Sequence, residues 1–550
     1  MNKKYPFLAF FILSFGWFTG CRQPEPADLI IYNARVYTAD NDSTVAEAFA
    51  VKDGKFLEVG GSSFIRTKYK GQQELDLKGK PVYPGFIDAH AHFYGYAQNL
   101  RQVDLVGTKS FREVIQRLET HRKKHPDTPW LLGRGWDQND WPEKEFPTND
   151  TLNKLFPDVP VFITRIDGHA ALVNAKALAM AQVTPATSVS GGLIGIENGR
   201  LTGLLVDNAQ GLVSRKIPPL QTADLVKVFL AAQENLFAVG LTSVVDAGLE
   251  KPVIQLIDSL QKAKALKMRI YAMLNPSEEN KSYYFKNGPY HTPYLHVRSF
   301  KVYADGALGS RGACLLHPYH DKPGQTGFLL QNQTYYRQLA KQLNQLGFQM
   351  NTHAIGDSAN RLMLNIYGEV LKGKNNKRWR IEHAQVVHPA DVPKFGRFNI
   401  IPSVQPTHAT SDMYWAADRL GPERIAHAYA YKTLLKQNGF IPLGSDFPVE
   451  DINPLYGFHA AVARQDAKNY PNGGFAKNNA LTRMQALYGM TRWAAYANFE
   501  ENEKGSIERN KLADFVILDQ DIITTALPNL RATKVLATYS NGELVYGRNK

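Results

Sequence analysis

From residue 84 to about residue 499, short apolar runs alternate with longer stretches whose apolar positions recur at helical spacing. The strand-like runs fall at 82–87, 241–246, 268–274, 300–305, 348–353, 379–383, 400–405 and 440–446. Helix-like stretches separate them, for example at 334–346 and 358–371. This alternation predicts a parallel sheet covered by helices. Eight strands are what a closed (β/α)8 barrel requires, so the pattern reads as an α/β fold with a TIM-like barrel over 84–499.

The two ends of the chain follow a different pattern. Leu29-Ile30-Ile31 and Ala34-Arg35-Val36-Tyr37 are rich in β-formers, and Asp53-Gly54 suits a tight hairpin turn. The C-terminal segment repeats the style in Phe515-Val516-Ile517-Leu518, the Asn541-Gly542 turn and Leu544-Val545-Tyr546. Neither end is large enough to bury a good core alone. Together, 27–83 and 500–550 are expected to build one small β-sandwich domain.

The first two barrel strands are separated by far more chain than a crossover needs. An insertion is therefore expected at about 93–240, with Trp130, Trp136 and Trp141 and a hairpin at Asn198-Gly199. Long insertions on the active face of a barrel form lids or substrate walls, or else only cover helices.

Composition changes the picture in two places. The net charge is +13, but Lys and Arg are scattered and no basic block or nucleic-acid motif occurs, so no nucleic-acid partner is expected. Residues 1–20 read as a targeting segment, with Lys3 and Lys4 before the apolar run 7–18. The junction Gly20-Cys21 resembles a bacterial lipoprotein signal, although Phe18 stands where such signals carry Leu. That resemblance implies lipidation of Cys21, a membrane anchor at the N-terminus and a place in the cell envelope; secretion to the periplasm is the alternative. Cys314 would then have no disulfide partner.

The chemistry gathers at the ends of the strands. His90 and His92 are two apart on one strand, so they project to the same face and suit a shared metal ion. Lys301, His353, His383 and Asp446 fall near the ends of four other predicted strands. Barrel active sites are assembled at that end, from residues on different strands. Arg311, beside Gly309-Ser310, could bind a substrate carboxylate or carbonyl, or form a salt bridge.

The motifs Pro84-Gly85-Phe86-Ile87-Asp88-Ala89-His90-Ala91-His92, Arg165-Ile166-Asp167-Gly168-His169-Ala170 and Lys301-Val302-Tyr303-Ala304-Asp305-Gly306 carry a further signal. So do Asn351-Thr352-His353, Ile381-Glu382-His383 and Gly444-Ser445-Asp446. With these, nearly the whole chain after the leader resembles the amidohydrolase superfamily, and within it amidohydrolase family 3, the group similar to N-substituted formamide deformylases. The resemblance implies that His90 and His92 hold one Zn2+ and that His353 and His383 hold a second. It also implies that Lys301, carboxylated by carbon dioxide, bridges them, that Asp446 binds metal and handles protons, and that His169 reaches the substrate.

The implied reaction is hydrolysis of a non-peptide C–N bond by metal-activated water. Its substrate would be a small amide, an N-acyl or N-formyl amine, or a cyclic amide. Two other readings compete: an exported ligand-binding lipoprotein, and a deaminase or isomerase on the same scaffold. Related deaminases carry Glu three residues after the fifth-strand histidine, where this chain has Gly356.

Overall fold

The computed structural model describes residues 23–548; the leader, with Cys21, lies outside them. Seven parallel strands run side by side in chain order: Phe86–Ala91, Leu241–Leu249, Arg269–Leu274, Leu295–Tyr303, Gln349–Ala354, Arg380–His383 and Ile401–Ser403. Several are buried along their whole length, as a sheet covered on both faces requires. Helices such as Thr222–Ala238, Lys251–Lys262, Gln333–Leu346 and Asp357–Leu371 pack outside them.

The eighth stave differs from the strand expected at 440–446. Residues 441–445 form no regular strand, yet they bond to both neighbours. The N–H of Val404 donates to Pro442 O at 3.2 Å and that of Gly444 to Val404 O at 3.1 Å. On the other side, Ala89 N–H donates to Leu443 O at 3.1 Å and Asp446 N–H to His90 O at 2.7 Å. Asp88 reinforces this seam: its carboxylate accepts from the Ser445 hydroxyl at 2.6 Å and from the Ser445 and His90 N–H groups. The barrel therefore closes through an irregular segment, which places Asp446 beside the first strand.

The expected strand 82–87 is two strands. Pro81–Pro84 belongs to another sheet, where it lies between Arg35–Tyr37 and Phe515–Leu518. That sheet also holds Val45–Ala46, Val535–Ser540 and Glu543–Gly547. A four-stranded sheet of Lys55–Gly60, Ala48–Lys52, Glu25–Tyr32 and Tyr69–Asp76 shares a core with it, in which Leu29, Ile31, Phe49 and Phe56 meet Phe515, Ile517 and Tyr539. Arg269, at the start of the third barrel strand, forms a buried ion pair with Asp514 at 2.7 Å.

Between the first two barrel strands the chain builds a fourth sheet, ordered Gly192–Glu197, Arg200–Asp207, Ala170–Val173, Val161–Arg165, Leu131–Trp136 and Val103–Asp104. Asn198 and Gly199, both at positive φ, turn its hairpin. Among the described residues no helix is long and apolar enough to cross a membrane.

Candidate active site

The C-terminal ends of the barrel strands open into a cavity of about 860 Å³. Residues from the insertion, including Arg134, Asp167 and His169, form one wall, and His353, His383, His408 and Asp446 lie in its lining. Ligand atoms of His90, His383 and Asp446 lie within 4.8 Å of one another. His92 Nε2 is 3.1 Å from Asp446 Oδ1, and the His353 ring centroid is 4.4 Å from that of His383. The tightest trio thus takes one histidine from each of the two expected pairs. The structure brings all four histidines and Asp446 together.

Backbone geometry contributes to this. His383 and Asp446 both have positive φ, at 71° and 62°, conformations that non-glycine residues seldom adopt and that cluster at functional sites. Glu382, one residue before His383, also faces the site. Its Oε2 lies 2.6 Å from His90 Nδ1, which fixes that ring and leaves Nε2 pointing at the cluster. Arg380 sits 2.7 Å from the other carboxylate oxygen.

Charge states follow from burial. Burial pushes His90 down to about 4, helped by the Lys301 charge, and holds His353 and His383 well below the usual imidazole range. These rings are therefore neutral, with lone pairs available. Burial would raise the Asp446 carboxyl, but the hydrogen bond to His92 and the nearby histidines outweigh it and keep the group ionised. His383 Nδ1 is buried without a hydrogen-bond partner among the described residues. Neutral imidazole nitrogens, a carboxylate and an orphaned buried nitrogen together fit a divalent metal ion such as zinc.

Lys301 lies at 3.0 Å from His90 Nε2, and among the described residues no carboxylate pairs with it. Burial lowers its pKa to about 8. Asp305, the acidic residue nearest in sequence, instead accepts from the N–H groups of Cys314, Ile355 and Gly356.

His169 Nδ1 donates to Asp207 Oδ1 at 2.6 Å, and its ring lies 4.9 Å from that of His353. Burial opposes its charged form, but Asp207 more than compensates and raises its pKa. Arg311, considered as a substrate ligand, is instead held by Asp321 at 2.8 Å and is absent from the cavity lining. Asp321 also binds Arg419, so the nearby carboxylate captures Arg311 before a substrate could.

Four residues had no role assigned from the sequence. Glu382 and Asp207 orient histidines. His408 stacks on His383 and puts Nε2 at 3.7 Å from Asp446 Oδ2. Arg134 reaches the cavity from the insertion. Glu382 stood in a quoted motif, where its position beside a histidine was the available signal.

The profile of the amidohydrolase family matches residues 73–546. The chain belongs to the amidohydrolase family. It is 30% identical over 523 residues to the putative amidohydrolase YtcJ of Bacillus subtilis, covering 94% of this chain and 98% of that one. It is 26% identical over 552 residues to the N-substituted formamide deformylase of Arthrobacter pascens, covering 95% and 98%. An uncharacterized metal-dependent hydrolase from Pyrococcus horikoshii superposes with a TM-score of 0.75 at 28% identity, covering 91% of this chain and 99% of that one. The barrel that carries the site is thus that of a hydrolase family.

Proposed function

We propose that this amidohydrolase-family protein hydrolyses a non-peptide C–N bond in a small amide, an N-acyl or N-formyl amine, or a cyclic amide. In this reading His90, His92, His353, His383 and Asp446 would hold zinc, and Lys301, as a carbamate, would add an anionic oxygen ligand. A bound divalent cation supplies Lewis acidity, polarising a carbonyl oxygen and lowering the pKa of water.

One observation carries the reading. Asp446 turns Oδ1 toward His90 and His92, at 3.5 and 3.1 Å, while Oδ2 faces His408. A carboxylate so placed can ligate through one oxygen and handle a proton through the other. Water adds to the carbonyl carbon as Asp446 accepts its proton. Asp446 then returns that proton to the departing nitrogen, the C–N bond breaks, and a carboxylic acid and an amine are released. The relative named for formamide deformylation supports an amide-type substrate.

Deamination is disfavoured by the space around position 356. A Cβ on Gly356 would stand 2.1 Å from Cys314 O, so the glutamate that related deaminases carry there has no room. A binding-protein reading is disfavoured because Trp130, Trp136 and Trp141 are packed into cores and present no face to a ligand.

Asp446→Asn tests the mechanism. The variant should fold and keep much of its metal, yet lose at least about a hundredfold in turnover on the best substrate from an N-acyl and cyclic-amide panel. Near-normal turnover by a folded, metal-loaded variant would overturn the role. A lipid anchor at Cys21 is part of the same proposal. Cys21→Ser should move the protein to the soluble fraction, and unchanged membrane association would count against the anchor.

A further inference from the structure

Arg134 lines the cavity wall and, among the described residues, has no carboxylate within ion-pair distance. It ends the regular part of an insertion strand, opposite Asp104 and Thr164 in register. The next residue, Gly135, sits at φ +116°, and the pairing shifts between Arg134 and Trp136. Without that bulge, residues 134 and 136 would share a face. With it, Trp136 enters the core with Leu131 and Ile163, while Arg134 lines the cavity. Bulges beside active sites commonly re-aim a side chain in this way.

The guanidinium is under-satisfied. Nη2 donates to Ile166 O at 2.9 Å, and Nε is buried with no partner among the described residues. Arg165, also in the lining, has both Asp137 and Asp167 bonded to it. Other cavity carboxylates are engaged as well: Asp412 by Tyr429, Glu450 by Ser411, and Asp446 by His92. A Cβ on Gly168 would lie only 3.4 Å from Nη1 and 3.5 Å from Nη2, so the glycine leaves that edge of the fork uncovered. A partly buried guanidinium with free donors is a receptor for a planar anion, which its two parallel N–H groups grip together.

We propose that Arg134 is the residue that sets substrate specificity in this cavity, and that the substrate carries a carboxylate which Arg134 binds. The inference rests on the hydrolysis reading above and narrows the substrate class to N-acyl compounds bearing a carboxylate, such as N-acyl amino acids.

The test compares the metal-loaded wild type with Arg134→Gln and Arg134→Lys on N-acyl amino acids and on the matching N-acyl amines that lack the carboxylate. Wild type should favour the anionic member of each pair. Arg134→Gln should raise KM for it at least about tenfold, with kcat little changed and the neutral member unaffected. Arg134→Lys, which keeps charge but loses the fork, should fall between. An equal loss on both members would assign Arg134 to bracing the loop at Ile166 and overturn the proposal. Calorimetric titration with cyclohexanecarboxylate separates this inference from the hydrolysis reading. Binding weakened at least about tenfold in Arg134→Gln supports the anion site even if no N-acyl compound turns over, whereas equal binding to a folded Arg134→Gln sinks it.

Discussion

Glu382 holds His90 by its Nδ1 at 2.6 Å, with both side chains fully buried. Burial would raise the Glu382 carboxyl, but the Arg380 charge and the hydrogen bond from His90 pull it down to about 2, so it stays ionised. An ionised carboxylate on Nδ1 fixes the ring orientation and makes Nε2 a better donor to a metal. Glu382→Gln keeps the shape and loses the charge. It should weaken zinc affinity about 10- to 100-fold in competition with a chelator, without unfolding the barrel. Unchanged zinc affinity would reduce Glu382 to a structural partner of Arg380.

Lys301 gives a prediction with a direction in pH. Carbamate formation needs the neutral amine, and burial has lowered its pKa to about 8. An ordinary lysine at pH 7 would be almost wholly protonated. Raising the pH from 7 to 9 in labelled bicarbonate should therefore increase the carbamate signal of the wild type in carbon NMR. Lys301→Ala should lack that signal and bind zinc less tightly. A spectrum without a carbamate at pH 9 would leave Lys301 as a neutral amine beside His90.

The parts of this site that were legible in the sequence share one property: they sit at strand ends that apolar runs announce. His90, His353 and His383 could be placed that way. Glu382 could not, because simple alternation turns it away from His383; the positive φ of His383 brings both to the site. Arg134 was hidden by the Gly135 bulge. For Arg311 the sequence left a substrate contact and a salt bridge both open, because its partner, Asp321, is ten residues along the chain and reaches it only through the folded loop. The strand read at 82–87 failed at Gly85, where the chain leaves one sheet for another. A Cβ there would lie 2.4 Å from Thr242 Oγ1.

Asp246, on the second barrel strand, makes stability depend on pH. Burial raises its carboxyl from 3.8 to about 7, although the Tyr94 N–H donates to it at 3.0 Å. Between those values the folded state keeps a proton that the unfolded state has released, so its contribution to stability falls as pH rises from about 4 to 7. Asp246→Asn keeps an acceptor for Tyr94 and cannot ionise. Relative to wild type, it should gain a few kcal/mol between pH 4.5 and pH 8 in urea denaturation. A constant difference between the two proteins across that range would show that Asp246 ionises normally in the fold.

The last prediction concerns the two chain ends. Pro81–Pro84 lies between Arg35–Tyr37 on one side and Phe515–Leu518 on the other. Removing residues 513–550 would bare that edge and take Phe515, Ile517 and Tyr539 out of the core they share with Phe49 and Phe56. An unpaired edge over an opened core is open to proteases and to association. The truncated chain should therefore be cleaved within 27–83 under conditions in which the full chain resists. Phe515→Ala is the milder variant: its ring is fully buried and meets Phe49 edge-on at 5.0 Å and Tyr539 by stacking at 4.4 Å. It should cost about 3–5 kcal/mol and raise proteolysis of the same N-terminal strands. If residues 27–83 remain resistant in both variants, the N-terminal strands hold together without the C-terminal ones, and the shared core is not what stabilises them.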